Sequence, residues 1–374
     1  MKKILTIVIV LVSYFSHGQS TPRLTDEQVF NKCVLENTNY FTFDGQKPVG
    51  KGWTILEGLF AKNQFVAWGE YHNSPVLSKL TSFALESASK SGYKTWCIET
   101  SPFIASELTV FSKAKNTTDT ILTIAKKFGI PFFRTKEDAS MLIAANKFNY
   151  SIWGLDQEFQ VTFPHCITKV YDSQPYKIRQ KYKAVYDSLL AHWWWPKKIL
   201  LDSLQKGITE LRYKSLLADV ATGKKIMNDN DNLLRSSIMK NNFYSYYDKL
   251  KSKNEKVFFK MGNNHLARGL NLETKLYDIG NAVFELSQRN KTNFANVYLM
   301  VRYTMEGEKI IDDMEAKKHE NPIVFSKLYD KEKWVLVDVR SLREIMQSDN
   351  TLSIDTYKLI EKYDFVLVSP EILK

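Results

Sequence analysis

The stretch from Phe65 to Glu99 limits the fold more than any other part of this chain. Residues 65–69 are an apolar run ending in a glycine. The run is apolar on both faces, the pattern of a strand buried inside a sheet. After Pro75 the apolar positions Val76, Leu77, Leu80, Phe83, Ala84 and Leu85 recur at helical spacing to about residue 90, and Gly92 serves as a C-terminal cap. Residues 93–99 then read as a second strand, which ends in Glu99. Strand, helix and strand in so short a span form a βαβ unit, implying parallel pairing and a right-handed crossover. Glu70 and His72 follow the first strand directly. Residues two apart in extended chain face the same side, so the two side chains project together. In open α/β sheets that end of the strands is where ligands bind. The plainer alternative is a polar loop whose Glu70 and His72 are solvated or cap the next helix.

The same pattern recurs along the chain. Residues 107–115 and 119–127 read as helices, and residues 130–133 are ambiguous. A helix over 137–148 leads into a strand over 150–156 that ends Gly154-Leu155-Asp156. A strand over 256–261 is followed by Gly262, Asn263, Asn264, His265 and Arg268. Further strands are expected at 282–286, 295–301, 334–339 and 365–368, and loops at 288–293 and 305–321. The expected fold is therefore α/β, a mostly parallel central sheet flanked by helices. Residues 165–250 lack strand signals and carry helical patterns over 176–190, 197–217 and 233–251. They read as a helical insertion or lid, interrupted by His192-Trp193-Trp194-Trp195-Pro196. The tryptophans suit helix packing, with a substrate platform as the alternative. Before the first strand, residues 20–50 are polar, with Thr25 and Gln28 at capping-box spacing. Residues 53–62 suit a short helix.

Composition settles the broad class. The chain has 374 residues, of which 44% are hydrophobic and 25% charged, so a sizeable core is available. The formal charge is +11, but Lys and Arg are scattered without a basic block, which argues against nucleic acid as a partner. Lys2 and Lys3 precede an apolar run over 4–15 and then small and polar residues, the layout of a secretory signal peptide ending near residue 19. The remainder, 20–374, is expected to be one α/β domain without an integral membrane segment, exported to the periplasm or secreted. Cys33, Cys97 and Cys166 allow one disulfide, and a Cys33–Cys166 pair is one option. Cys97 lies in an apolar strand and reads as a small core residue.

The strand ends offer Glu70, His72, Glu99, Asp156 and His265, which suit two chemistries. In one, His72 or His265 is a general base for water, a carboxylate holds its other ring nitrogen, and Arg268 or Asn264 steadies charge on a substrate oxygen. In the other, His72, His265, Glu70 and Glu99 ligate a divalent metal with an open position for water. His165, His192 and His319 lie outside the strand-end pattern and read as structural or surface residues. No GxSxG elbow, P-loop or strand-following GxGxxG is present.

Gly69-Glu70-Tyr71-His72-Asn73-Ser74-Pro75 resembles the Gly-Glu-x-His signature of the superfamily that joins erythromycin esterases, ChaN-like haem-binding proteins and TraB/TIKI-type proteases. Its short spacing is most similar to the ChaN-like branch. Ile98-Glu99, Gly154-Leu155-Asp156, Asn263-Asn264-His265-Leu266-Ala267-Arg268 and the segment from Val337 to Arg343 are more similar to the esterases. The resemblance covers about 55–370 and implies the same α/β core. It implies a hydrolase that activates water with Glu70, His72, Glu99 and His265 to cleave an ester or amide in a small-molecule or peptide substrate. Arg268, Asn264 and Asp156 would bind substrate or order the site. The alternative it implies is a non-catalytic haem- or metal-binding protein, with Tyr71 and the histidines as ligands; a third is a protein that keeps the fold without the chemistry. The cofactor is thus left open among none, a divalent metal and haem.

Overall fold

The computed structural model describes residues 25–29, 31, 34–44, 47–194, 196–306, 309–315, 323–343 and 353–371. The expected signal segment, Cys33, Trp195 and His319 lie outside these residues.

The first element among the described residues is a short helix α1 (Asp26–Val29). Thr25 N donates to Gln28 Oε1 at 2.9 Å and Gln28 N to Thr25 Oγ1 at 3.3 Å, so the capping box forms reciprocally. The strands are β1 (Thr38–Phe43), β2 (Pro48–Val49), β3 (Phe65–Glu70), β4 (Thr95–Ile98), β5 (Ser151–Gly154), β6 (Val257–Gly262), β7 (Phe294–Met300), β8 (Tyr303–Glu306), β9 (Lys309–Asp312), β10 (Trp334–Asp338) and β11 (Phe365–Val368). Nine of them form one sheet in the order β2-β1-β10-β11-β7-β3-β6-β4-β5. The run from β11 to β5 is parallel throughout, whereas β10 is antiparallel to both β11 and β1. The sheet is mostly parallel and flanked by helices, as the alternation of patterns implies.

Every residue of β3, β6 and β7 is buried. The pleat sorts their side chains by alternation. Val66, Trp68, Trp96 and Phe258 enter one apolar layer, under α2 (Lys51–Lys62), α3 (Pro75–Lys90) and α6 (Lys136–Lys147). Phe65, Ala67, Phe259 and Met261 enter the opposite layer, under α11 (Asn232–Tyr247) and α13 (Ile279–Asn290). Each large side chain so buried contributes about 2 kcal/mol. Truncating Phe258 to Ala would cost about 3–5 kcal/mol.

The segment expected to be a helical insertion is helical, with α7 (Phe163–Asp172), α8 (Tyr176–Ala191), α9 (Lys198–Lys206) and α10 (Leu211–Asp229) before α11. The remaining two helices between β4 and β5 are α4 (Pro102–Phe111) and α5 (Thr117–Phe128). Helices α7 to α10 share their own small core of Phe163, Ile167, Val170, Leu189, Leu201, Leu204, Leu216, Leu217 and Val220.

Several expectations are corrected. Strands β3 and β4 are parallel but unpaired, because β6 lies between them. Residues 282–286 belong to helix α13, not a strand. Asp278 caps it through Ile279 N, and Ile279, Val283 and Leu286 share its buried face at i, i+4 and i+7. The helix expected over 197–217 breaks at Gly207, where a Cβ would meet the Tyr182 ring at 2.2 Å. The polar segment 20–50 contributes β1, which pairs with the apolar β10. Part of the loop expected at 305–321 is the β8–β9 hairpin. Cys97 and Cys166 are both free and buried, so Cys166 carries no disulfide here.

Candidate active site

The C-terminal ends of β3, β4 and β6 meet at one point on the sheet edge. Strand β3 delivers Glu70 and, two residues on, His72. Asn73 then turns the chain at φ 63°, and Pro75 opens α3. Strand β4 delivers Glu99, whose Oε2 accepts the Gly262 N–H of β6 at 2.6 Å. A Cβ at residue 262 would lie 3.0 Å from His72 Nε2 and 3.1 Å from Glu99 Oε2, so any larger residue would press on both side chains. The short helix α12 (Asn263–Leu266) starts at once and brings His265 to the same carboxylate.

Glu99 stands between the two imidazoles. Its Oε2 is 3.4 Å from His72 Nε2 and its Oε1 is 3.4 Å from His265 Nε2. His265 Nδ1 is held at 2.7 Å by Asp278 Oδ2, a proper hydrogen bond, whereas His72 Nδ1 faces Glu70 Oε1 at 3.5 Å without forming one. Glu70 Oε2 is in turn 2.5 Å from Lys260 Nζ. Arg235, from α11, donates to Glu99 Oε1 at 2.8 Å and lies across both oxygens of Asp156. His72 is the most open of the group, with 30% of its side chain exposed. Its ring stacks on Phe132 at 3.9 Å between centroids. Phe132 is itself held at φ 63°, a backbone conformation that costs energy in a bulky residue and tends to occur at functional sites. Behind it, a cavity on the order of one water molecule lies among Glu70, Glu99, Thr100, Lys260, Trp96 and Phe133.

Glu70, His72, Glu99, Asp156 and His265 therefore come together. The other two expected site residues are directed elsewhere. Asn264 Oδ1 accepts Glu273 N at 2.9 Å, and Arg268 Nη2 donates to Asp364 Oδ1 at 2.7 Å. Tyr71 packs against the apolar core. Three members of the cluster escaped the sequence reading: Lys260, Arg235 and Asp278. Lys260 had a visible signal, as the one charge within Val257-Phe258-Phe259-Lys260-Met261. Arg235 looks like any helix-surface arginine, and Asp278 sits 13 residues beyond His265 with nothing local to link them.

The electrostatics follow from this pairing. Burial works against the imidazolium of His72, but the charges of Glu99 and Glu70 outweigh it and raise its pKa to about 9. Burial likewise opposes charging of His265, and Glu99 together with the Asp278 bond raises it to about 10. Glu99 is desolvated, yet the two histidines hold it well below the usual carboxylate range. Glu70 is also lowered against its burial, first by the Lys260 charge and then by His72. The donor set does not suit a divalent metal. Glu70 is paired with Lys260, and Glu99 and Asp156 share Arg235, so a metal ion would sit against two fixed cations. Among the described residues no group of three or more His, Cys, Asp or Glu is disposed to hold one.

No protein-family model matches this sequence, and no curated protein matches it significantly. Its fold is found among solved structures. A protein from Bacillus cereus is 12% identical, with a TM-score of 0.56, covering 93% of this chain and 98% of the other. A succinoglycan biosynthesis protein is 13% identical, with a TM-score of 0.55, covering 92% and 97%. The erythromycin esterase EreC, as a histidine-to-asparagine mutant in its open conformation, is 11% identical, with a TM-score of 0.55, covering 89% and 97%. At these identities the likeness establishes a shared fold, and it runs over nearly the whole of each chain.

Proposed function

We propose that this protein is an exported hydrolase that uses His72 to activate water and cleaves an ester or amide in a small-molecule or peptide substrate. The observation that carries this reading is Glu99 standing between His72 and His265 at the C-terminal sheet edge. His72 is the ring a substrate can reach. Its contacts to Glu70 and Glu99, at 3.5 and 3.4 Å, are longer than hydrogen bonds, and a small turn of the ring out of them offers a nitrogen to water. His72 takes the proton as water attacks the carbonyl, Glu99 and Glu70 stabilise the imidazolium, and His72 returns the proton to the leaving group. His265, gripped by Asp278 and raised well above an ordinary imidazole, stays protonated and lends positive charge to the site where the oxyanion develops. His72, exposed and loosely held, thus takes the base role, and His265, buried and gripped, the electrostatic one. Arg235 fixes Glu99 and Asp156 in place.

Export is supported by the signal-like N-terminal sequence. Among the described residues no helix is long and apolar enough to cross a membrane. The test is a panel of chromogenic esters and amides with the purified protein. Because the base must be neutral, kcat/KM should rise with pH through about 9. Alanine at His72 and at His265 should each abolish turnover while the fold survives; full activity in both variants would overturn the proposal. A Soret band on adding haemin, with no hydrolysis across the panel, would point instead to haem binding.

A further inference from the structure

Lys260 interrupts an otherwise apolar strand in which every residue is buried. An ammonium inside a sheet is costly unless it is paired. Its Nζ lies 2.5 Å from Glu70 Oε2, with the two side chains only 5% and 6% exposed. The register pairs Trp68 with Lys260 and Glu70 with Gly262. Lys260 therefore stands one pleat back on the neighbouring strand, on the same face as Glu70, and reaches forward to it. With Oε2 engaged, the other oxygen of Glu70 is the one turned toward His72 Nδ1.

We propose that Lys260 is a positioning residue, which keeps Glu70 ionised and turned so that its second oxygen lies against His72. The catalytic meaning of this role rests on the hydrolase reading, but its effect on His72 can be measured without turnover. The charged groups facing His72 are Glu70 from β3 and Glu99 from β4. Behind Glu99 stand His265 from α12 and Arg235 from α11, and behind those Asp278 and Asp156. The Phe132 face contributes an aromatic ring without charge. Lys260 reaches His72 through Glu70. Deprived of its counterion, a carboxyl this buried takes up a proton, and His72 loses one of the two carboxylates that favour its imidazolium. A lysine that acted only as a point charge would have the opposite effect, because removing a cation makes the imidazolium easier to form.

The experiment is an NMR titration of the His72 ring, assigned by its loss in His72→Asn, in wild type, Lys260→Met, Glu70→Gln and the double variant. The deprotonation midpoint of His72 should fall by about one pH unit or more in Lys260→Met and equally in Glu70→Gln. The double variant should match Glu70→Gln, since a residue that acts only through Glu70 has nothing left to act on. A midpoint that rises or stays unchanged in Lys260→Met, or one in the double variant that differs from Glu70→Gln, overturns the proposal. If Lys260→Met alone does not fold, Glu70→Gln against the double variant decides, because both lack the unpaired buried carboxylate. Failure to find any hydrolysis would sink the proposed function and leave this measurement standing.

Discussion

Two histidine–carboxylate clusters lie among the described residues, and they are built differently. Between α4 and α7, Glu107 Oε2 receives both His165 Nε2 at 3.1 Å and Lys169 Nζ at 2.9 Å, while the His165 ring lies beside Phe103 and Phe128. Both His165 and Glu107 are only 10% exposed. At the sheet edge, Glu99 divides two oxygens among His72, His265, Arg235 and Gly262 N, and both histidines stand off at 3.4 Å. The first cluster closes a seam with short contacts on one oxygen. The second leaves His72 standing 3.4 and 3.5 Å from its two carboxylates, with 30% of its side chain open to solvent. Residue types alone do not separate a structural histidine from a reactive one; contact length and exposure do.

That distinction can be broken most directly by deleting each histidine. His72→Ala should lower kcat/KM on any ester the protein cleaves by about 10³-fold, the size of a lost general base. His165→Ala should leave kcat/KM unchanged in the same steady-state assay, and equal losses would erase the contrast. A smaller effect is expected at Gly262→Ala. Its Cβ would press on both His72 and Glu99 and should cost about 10²-fold in kcat with the circular dichroism spectrum preserved.

The pH dependence of stability sharpens the same contrast. The folded-state pKa values of His72 and His265 are raised from 6.5 to about 9 and about 10. Their stabilisation is therefore complete below about 6.5 and is lost as pH rises through those values. Urea midpoints should decline between pH 7 and 10, and the decline should be shallower in a His72→Asn, His265→Asn double variant. A slope unaltered by the double variant would show that other groups govern it. The smallest effect is expected at the seam. Glu107→Gln should lower stability by about 1 kcal/mol, read as a shifted urea midpoint, without moving the pH profile of turnover.

Much of this was legible in the sequence because central parallel strands write themselves as apolar runs. Strand β3 is a case: buried on both faces, bounded by Gly69 and Glu70, and followed by a helix whose bounds, Pro75–Lys90, match the apolar spacing. The carboxylates and imidazoles at such ends were legible for the same reason. Two kinds of feature were not. Elements near the margin of the sheet such as β1, flanked by β10 and the two-residue β2, bury few of their residues, so Thr38–Phe43 carries no apolar run to read. Partners brought in from other elements leave no local trace, which is why Arg235 and Asp278 were missed and Arg268, spoken for by Asp364, was expected at the site. The short apolar stretch at 282–286 was ambiguous by period alone, and its cap four residues upstream decided for helix.

The place of β6 carries a consequence for how the site comes into being. The segment ending at Ile98 and the segment beginning at Val257 become neighbours in space, with the whole helical region intervening in sequence. As the chain emerges N-terminus first, β3 and β4 are made before the strand that lies between them in the finished sheet. Glu99 then has neither the Gly262 amide nor His265, and Glu70 has no ammonium. Contacts of such long sequence separation form slowly. The histidine–carboxylate cluster is accordingly a late product of folding, complete only once β6, α12 and Asp278 have taken their places beside β3 and β4.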